Sequence, residues 1–388
     1  MKEWRNKNLG SISIQIQTGP FGSQLHQSDY SDIGTPVIMP KDIVDGKISD
    51  DSIARVEEAH VNRLARHKVN EGDIIYPRRG DVRKCAYTVA EQSGWLCGTG
   101  CLRVTIDNKK AVPKYVFYHL QEEKTRGWIE KHAIGATMLN LNTSILSNIP
   151  LRIPRLDVQK KIATVLSRYD SLIDNYQKQI KLLEEAAQRL YKEWFVKLRF
   201  PGHENTKIVD GVPEGWEKKS VGDMLRRMER TKQIPSNEYL KRGEIPVIDQ
   251  SRNFVAGYTN DEDSRLKVTT PVILFGDHTR VLKYLSFSFA RGADGTQLIM
   301  SNDIDRLPQS LFYNALVEKD LSNYSYARHF KYLKAEQILV PTKEIAQKFD
   351  TFAAKIYEQI QSCRHQLRLL TESRDRLLPK LLSGEIEV

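Results

Sequence analysis

Long hydrogen-bond donors gathered in polar, glycine-containing segments are the feature of this sequence whose chemistry is easiest to name. Arg78, Arg79, Arg83 and Lys84 surround Gly80-Asp81, and His278, Arg280 and Lys283 follow Gly276-Asp277. In both places an apolar run that reads as a β-strand comes first, Asp73-Ile-Ile-Tyr76 in one and Pro271-Val-Ile-Leu-Phe275 in the other. Arginine can make two hydrogen bonds to guanine, and arginine or lysine pairs with phosphate, so such loops suit both positioning on a nucleic acid and reading it. Gln24, His26, Arg291 and Gln297 are secondary candidates by side-chain type and surroundings. Arg63, Arg66, His67 and Lys68 read as an exposed helical face able to touch phosphates. The plainer alternative for each residue is a solvated charged loop.

Catalytic chemistry is harder to place. Asn148-Ile-Pro-Leu151 is close to the Asn-(Pro or Ile)-Pro-aromatic tetrad of amino-methyltransferases, but leucine cannot stack on a base as the aromatic ring does. Cys97 and Cys101, with His119 nearby, could supply zinc ligands, yet no second ligand pair follows. Gly98-Thr-Gly100 lacks the third glycine of a dinucleotide loop, and neither a G-x-x-x-x-G-K-[ST] phosphate loop nor an HExxH pair occurs. The two Gly-Asp pairs more readily form turns in which the carboxylate accepts backbone N–H groups. The expectation is therefore a chain without enzymatic activity of its own, without cofactor and without metal. The four cysteines, Cys85, Cys97, Cys101 and Cys363, read as free thiols of a reducing compartment.

What must position the donor loops is a unit used twice. Trp4-Arg-Asn-Lys-Asn-Leu-Gly10 lines up with Trp216-Glu-Lys-Lys-Ser-Val-Gly222, Pro36-Val-Ile38 with Pro246-Val-Ile248, and the run ending at Gly80-Asp81 with the run ending at Gly276-Asp277. Between these anchors the two copies diverge. Leu151-Arg-Ile-Pro154 then matches Ile338-Leu-Val-Pro341, and a long helical pattern follows each.

In the first helix Val158, Ile162, Val165, Tyr169, Leu172, Tyr176, Ile180, Leu183, Ala187, Leu190 and Trp194 recur about every 3.6 residues, the α-helical period. The second carries Ile345, Phe349, Phe352, Ile356, Ile360, Cys363, Leu367, Leu370, Leu377 and Leu381, interrupted by Arg374. Pro154 with Asp157 and Pro341 with Glu344 mark the helix starts. Pro201-Gly202 closes the first helix, and Pro379 followed by Gly384 limits the second. Some 40 residues make a rod of roughly 60 Å, longer than a head of this size can cover, so the nearest partner for each stripe is the other rod. Trp194 falls opposite Leu381 and Phe195 opposite Leu382; with Tyr169 and Tyr176 they either fasten the rods together or receive a partner's helix.

Length and charge agree with this division. A chain of 388 residues suits two or three domains, and 28% charged against 40% hydrophobic residues is the balance of an ordinary globular protein. The net charge of +10 is spread as +4, +4, +1 and +1 over residues 1–153, 154–199, 200–340 and 341–388, so it is compatible with a polyanion without forming a basic tail. No apolar run is long enough for a bilayer, and Met1-Lys2-Glu3-Trp4-Arg5 does not open a signal peptide. No membrane association is expected, and the cytoplasm is the expected location.

At this point the chain resembles the specificity subunits of type I restriction-modification systems. The resemblance rests on Gly19-Pro-Phe-Gly-Ser-Gln-Leu25, on Leu151-Arg-Ile-Pro-Arg-Leu-Asp-Val-Gln-Lys-Lys-Ile-Ala163, on Lys192-Glu-Trp-Phe-Val196 with Arg199-Phe-Pro-Gly202 and Val212-Pro-Glu-Gly-Trp216, and on Leu377-Leu-Pro-Lys-Leu-Leu-Ser-Gly-Glu-Ile386. It implies that each head reads one half of a split site in double-stranded DNA, while the helices set the gap and dock modification subunits. It also implies assembly with two methyltransferase subunits and, for cleavage, two motor-nuclease subunits. The expected fold class is α+β: target-recognition domains at 1–153 and 201–340, each mixed α/β, and helical spacers at 154–200 and 341–388. The spacers are expected to pair as an antiparallel, coiled-coil-like stalk with pseudo-two-fold symmetry. The rival readings are a structural adaptor that does not bind DNA and an enzyme with an unfamiliar site, which would show turnover in the isolated chain.

Overall fold

A computed structural model describes residues 4–228, 231–293, 295–324 and 328–388; Met1-Lys2-Glu3, on which the reading of no signal peptide partly rests, lies outside them. The chain forms two compact units, one of residues 1–173 with 369–388 and one of residues 174–368. Each combines one head with the beginning of the long helix that follows it and the end of the other long helix.

In the first unit Ile74–Pro77 and Cys101–Ile106 are the inner strands of an antiparallel sheet whose order runs Ser13–Thr18, Cys101–Ile106, Ile74–Pro77, Ala86–Tyr87. A second sheet places Thr35–Ile38 between Leu96–Cys97, to which it is parallel, and Ala54–Val56, to which it is antiparallel. Arg5–Asn8 pairs antiparallel with Pro150–Ile153. The second unit repeats these pairings. Val272–Gly276 lies between Leu282–Leu285 and Thr296–Ile299. Ile245–Ile248 lies between parallel Phe289–Gly292 and antiparallel Gly257–Thr259. Glu217–Ser220 pairs with Gln337–Val340. The sequence repeat is thus a repeat of strand order. The repeat is not complete: among the described residues the six-residue Ser13–Thr18 is answered in the second head by a bridge, Leu225 to Ser301, while Gln233–Ile234 and Arg265–Leu266 are added beside Phe289–Gly292.

The helical period produces two long helices, Leu156–Tyr191, continued by a π-helical turn over Lys192–Val196, and Lys343–Ser383. Most of the apolar stripe faces inward, but Leu172 and Phe352 are exposed, and Ile173 and Ala353, one position later, are buried in their place. Pro379 does not end the second helix. Its missing N–H removes one intrahelical bond, whereas Leu381 and Leu382 beyond it are buried in the first unit's core and hold the last turn. The helix stops at Gly384, whose left-handed φ of +80° ends it as a C-terminal glycine does.

The repeated tryptophans explain themselves in this arrangement. A Cβ on Gly384 would stand 2.9 Å from the Trp4 ring, so in the first unit the opening tryptophan seals the end of the second long helix. In the second unit Trp216 packs against Phe195 and Phe200, centroids 5.3 and 4.7 Å away, at the end of the first long helix. Trp194 and Phe195 belong to the second unit's core as Leu381 and Leu382 belong to the first's. All four are under a tenth exposed, because the rods end where they meet a head, and little of them is left for another chain. Tyr169 and Tyr176 are half-buried. An ion pair joins the two helices within each unit: Arg374 donates to Asp170 at 3.1 Å in the first, and Arg364 to Glu184 at 2.7 Å in the second.

Candidate nucleic-acid interface

Strand ends deliver the donor loops in both heads. After Ile74–Pro77, the backbone of residues 78–80 is fastened on two sides. Arg78 N donates to Gly100 O at 2.6 Å; Gly80 N donates to Leu139 O at 3.1 Å, and Leu141 N to Arg78 O at 2.8 Å. The Arg78 guanidinium lies 5.8 Å from the centroid of Phe21, a ring 53% exposed. Arg79 is exposed, and Lys84 pairs with Asp81 at 3.2 Å, both about half exposed. Arg83 is committed elsewhere: it donates to Glu123 at 2.6 Å and Glu130 at 2.7 Å, and these two carboxylates raise its pKa. It ties its loop to the helix Glu123–His132 and has little left for a phosphate.

Gly19 of the glycine-rich segment needs to be glycine, since a Cβ there would stand 2.1 Å from the Gly98 carbonyl oxygen. From it the chain turns so that Leu25 is buried, Gln24 Oε1 accepts from Phe21 N at 3.2 Å, and exposed His26 donates its backbone N–H to Asp29 at 2.9 Å. The stretch Arg63, Arg66, His67, Lys68 is not one exposed helical face. Its α-helix stops at Arg63, a 3-10 turn follows, and His67 is buried, which together with Arg66 and Arg103 pushes its pKa down to about 4.

In the second head the turn after Val272–Gly276 is built on Asp277, which is buried; its Oδ1 accepts Phe330 N at 2.8 Å. Asp81 accepts Arg83 N at 3.3 Å and so caps its own turn, whereas the Asp277 carboxylate is used on the distant start of the helix Phe330–Ala335. His278 is exposed, and its backbone N–H donates to Gln250 Oε1 at 3.1 Å. Arg280 adopts φ +62° and donates to Leu321 O at 3.0 Å. Arg291 donates to Thr296 Oγ1 at 2.8 Å and to the Thr296 carbonyl, and burial lowers its pKa. Gln297 is half-buried in a strand opposite Phe275. Lys283 is buried, donating to the carbonyls of Asp249 and Asn253 at 2.8 and 2.5 Å.

Those last bonds point to a segment the sequence reading passed over, Asp249-Gln-Ser-Arg-Asn253. It follows the repeated Pro246-Val-Ile248 strand directly and exposes Arg252 and Asn253 beside the 276–280 turn, to which Gln250 O is joined by Thr279 Oγ1 at 2.7 Å. A polar run of long donors after a strand was the available signal. Arg252 also lines a cavity of about 400 Å³ with Glu184, Lys283, Tyr313, Tyr357 and Arg364.

Asn148-Ile-Pro-Leu151 is framework: Asn148 caps the helix Thr143–Ser147, Ile149 and Leu151 are buried, and Leu151 pairs with Lys7 across the strand pair. Burial pushes the Cys97 thiol up to about 12 and raises Cys101 as well, away from the thiolate a metal would need. Among the described residues no group of three or more His, Cys, Asp or Glu side chains is placed to hold a metal ion, and no helix is long and apolar enough to cross a membrane.

Residues 1–185 match the family model described as the type I restriction modification DNA specificity domain. The type I restriction enzyme MjaIX specificity subunit of Methanocaldococcus jannaschii is 27% identical over all of this chain and 94% of its own length. The HindI specificity subunit of Haemophilus influenzae is 21% identical over the whole of both chains. The fold is shared with a crystal structure of the type I restriction-modification S subunit from M. genitalium, at TM-score 0.61 and 17% identity over 98% of this chain and 96% of that one. Residues 1–185 are thus similar to the type I restriction modification DNA specificity domain, and along its whole length the chain is similar to type I restriction enzyme specificity subunits.

Proposed function

We propose that this chain is the sequence-reading, non-catalytic subunit of a type I restriction-modification complex acting on double-stranded DNA in the cytoplasm. Each head reads one half of a bipartite target. The two long helices pair antiparallel as a coiled-coil-like, pseudo-two-fold stalk that sets the unread gap and docks two methyltransferase subunits, with two motor-nuclease subunits joining for cleavage. The observation that carries the reading is the repeated strand order, which brings a donor loop to the same strand end in each head, Arg78 and Arg79 in one and His278 in the other. The exchange of helix ends between the two compact units supports the antiparallel pairing.

Salt dependence of DNA binding by the assembled complex tests this, because each neutralised phosphate contributes close to one unit of slope in log K against log salt. Arg79→Met is expected to lower the slope by about one. Arg83→Met, whose guanidinium is already held by two carboxylates, is expected to leave it unchanged. Retention of a duplex with no salt dependence, or no retention at all, would favour the adaptor reading instead.

A further inference from the structure

The ends of the 249–253 loop are held by an ammonium that water scarcely reaches. Lys283 is 3% exposed, its Nζ donates to the carbonyls of Asp249 and Asn253, and the Asp249 carboxylate stands 3.9 Å away. One residue beyond, the Phe254 ring lies 3.7 Å from the Arg364 guanidinium, which is itself bonded to Glu184. On its other side the loop is joined to the 276–280 turn through Gln250, which receives His278 N and Thr279 Oγ1. An apolar side chain would fill the place of Lys283 without the cost of desolvating a charge. What the ammonium adds is several donors on one atom, enough to clasp two carbonyls and fix the separation of the loop ends.

We propose that Lys283 is a positioning residue for target reading by the second head: by clasping the ends of the 249–253 loop it sets Arg252, Asn253 and His278 at the spacing in which they meet the bases. The proposal rests on the reading of the heads as DNA readers, and Lys283 acts through the loop rather than by touching DNA.

Burial is the largest influence on this ammonium and, with Arg364 pushing the same way and Asp249 opposing, brings its pKa from 10.5 down to about 8. The other charged or titratable groups around it are Arg252 on the loop, Glu184 on the first long helix, Tyr313 on the helix Gln309–Val317, and Tyr357 on the second long helix. Burial raises both tyrosine hydroxyls further above neutrality, raises Glu184 from its ordinary carboxylate value, and lowers Arg364, whose guanidinium nevertheless stays charged. Among the described residues around this cavity Lys283, at about 8, is the group whose charge changes between pH 7 and 9. Its folded value lies below the unfolded one, so raising the pH from 8 towards 10.5 deprotonates the folded state first and adds stability. The same deprotonation weakens the charge-assisted bonds to the two carbonyls. Stability and reading are thus expected to move in opposite directions, which a role in packing alone does not predict.

The test is methyl transfer by the assembled complex to competing bipartite duplexes, each altered at one base, at pH 7, 8 and 9 and constant salt. Discrimination within one half-site is expected to fall roughly tenfold from pH 7 to 9, the order expected for loss of a charged hydrogen bond. Discrimination within the other half-site stays constant and controls for every other pH effect. Lys283→Gln is expected to show the relaxed preference already at pH 7, and Lys283→Arg to restore it and remove the pH dependence. Equal discrimination at all three pH values in the unsubstituted complex, a parallel fall in both half-sites, or unaltered selectivity in Lys283→Gln would each overturn the proposal. Should Lys283→Gln not fold, the pH series decides alone. A complex that prefers no bipartite site even at pH 7 overturns the functional reading along with the proposal.

Discussion

Exchanging residues 201–340 for the corresponding head of a related specificity subunit is expected to change one half of the methylated DNA motif completely and leave the other half as it was. The expectation follows from how the cores are built. The main apolar core of the second unit draws on Ala187 to Ile360, and that of the first on Leu9 to Leu166 with Leu381 and Leu382. The exchanged head carries its own strands, its 249–253 and 276–280 segments, and Trp216, which must still meet Phe195 and Phe200. A graft that keeps this tryptophan and apolar residues at Ile338 and Val340 should fold, since those positions close the head onto its helix ends. Motif mapping by sequencing of modified bases reads the result, and simultaneous change of both halves would mean that the heads do not read independently.

Phe349→Ala is expected to be the most damaging single truncation in the second unit. Phe349 has no exposed surface, and the rings of Tyr191, Trp194 and Phe195 lie 6.3, 5.9 and 5.2 Å away, so the change empties the joint between the start of one long helix and the end of the other. Removing a buried phenyl ring costs about 3–5 kcal/mol, transfer and cavity terms together. For a unit of this size that is a fall in melting temperature on the order of 10 °C. Phe352→Ala is the control: its ring is 56% exposed, and the expected loss is about 1 kcal/mol or less, since little apolar area returns to water. Calorimetry of both variants separates them, and equal melting temperatures would show that the aromatic joint does not hold the unit together.

The contrast between Phe349 and Phe352 also marks how far periodicity carries. A 3.6-residue stripe located both long helices, because burial against a core selects one face over many turns. It assigned Leu172 and Phe352 to the inner face, where Ile173 and Ala353 stand instead, since packing shifts the face by one residue locally. Repeated short strings fared better than long ones. Trp4 and Trp216, Pro36-Val-Ile38 and Pro246-Val-Ile248 recur because each copy uses them in the same strand pairing or helix seal.

Donor loops were legible as loops, and the availability of their donors was not. Arg83 is held by carboxylates 40 and 47 positions away, Lys283 by carbonyls about 30 positions back, and Arg291 by Thr296. Side-chain type announces what a residue can bond, while the partner it has already found is a property of the fold. The 249–253 segment escaped notice for a related reason, because its neighbour in space, the 276–280 turn, is more than twenty positions away in the chain.

The central claim, that two similar heads on one chain read two separated half-sites, is tested most directly by mapping every methylated base in the DNA of cells that carry this chain together with its modification subunit. The account predicts a motif of two short specified halves separated by a fixed number of unspecified bases, lost when this chain alone is removed. A continuous motif, or methylation that persists unchanged without this chain, would contradict it.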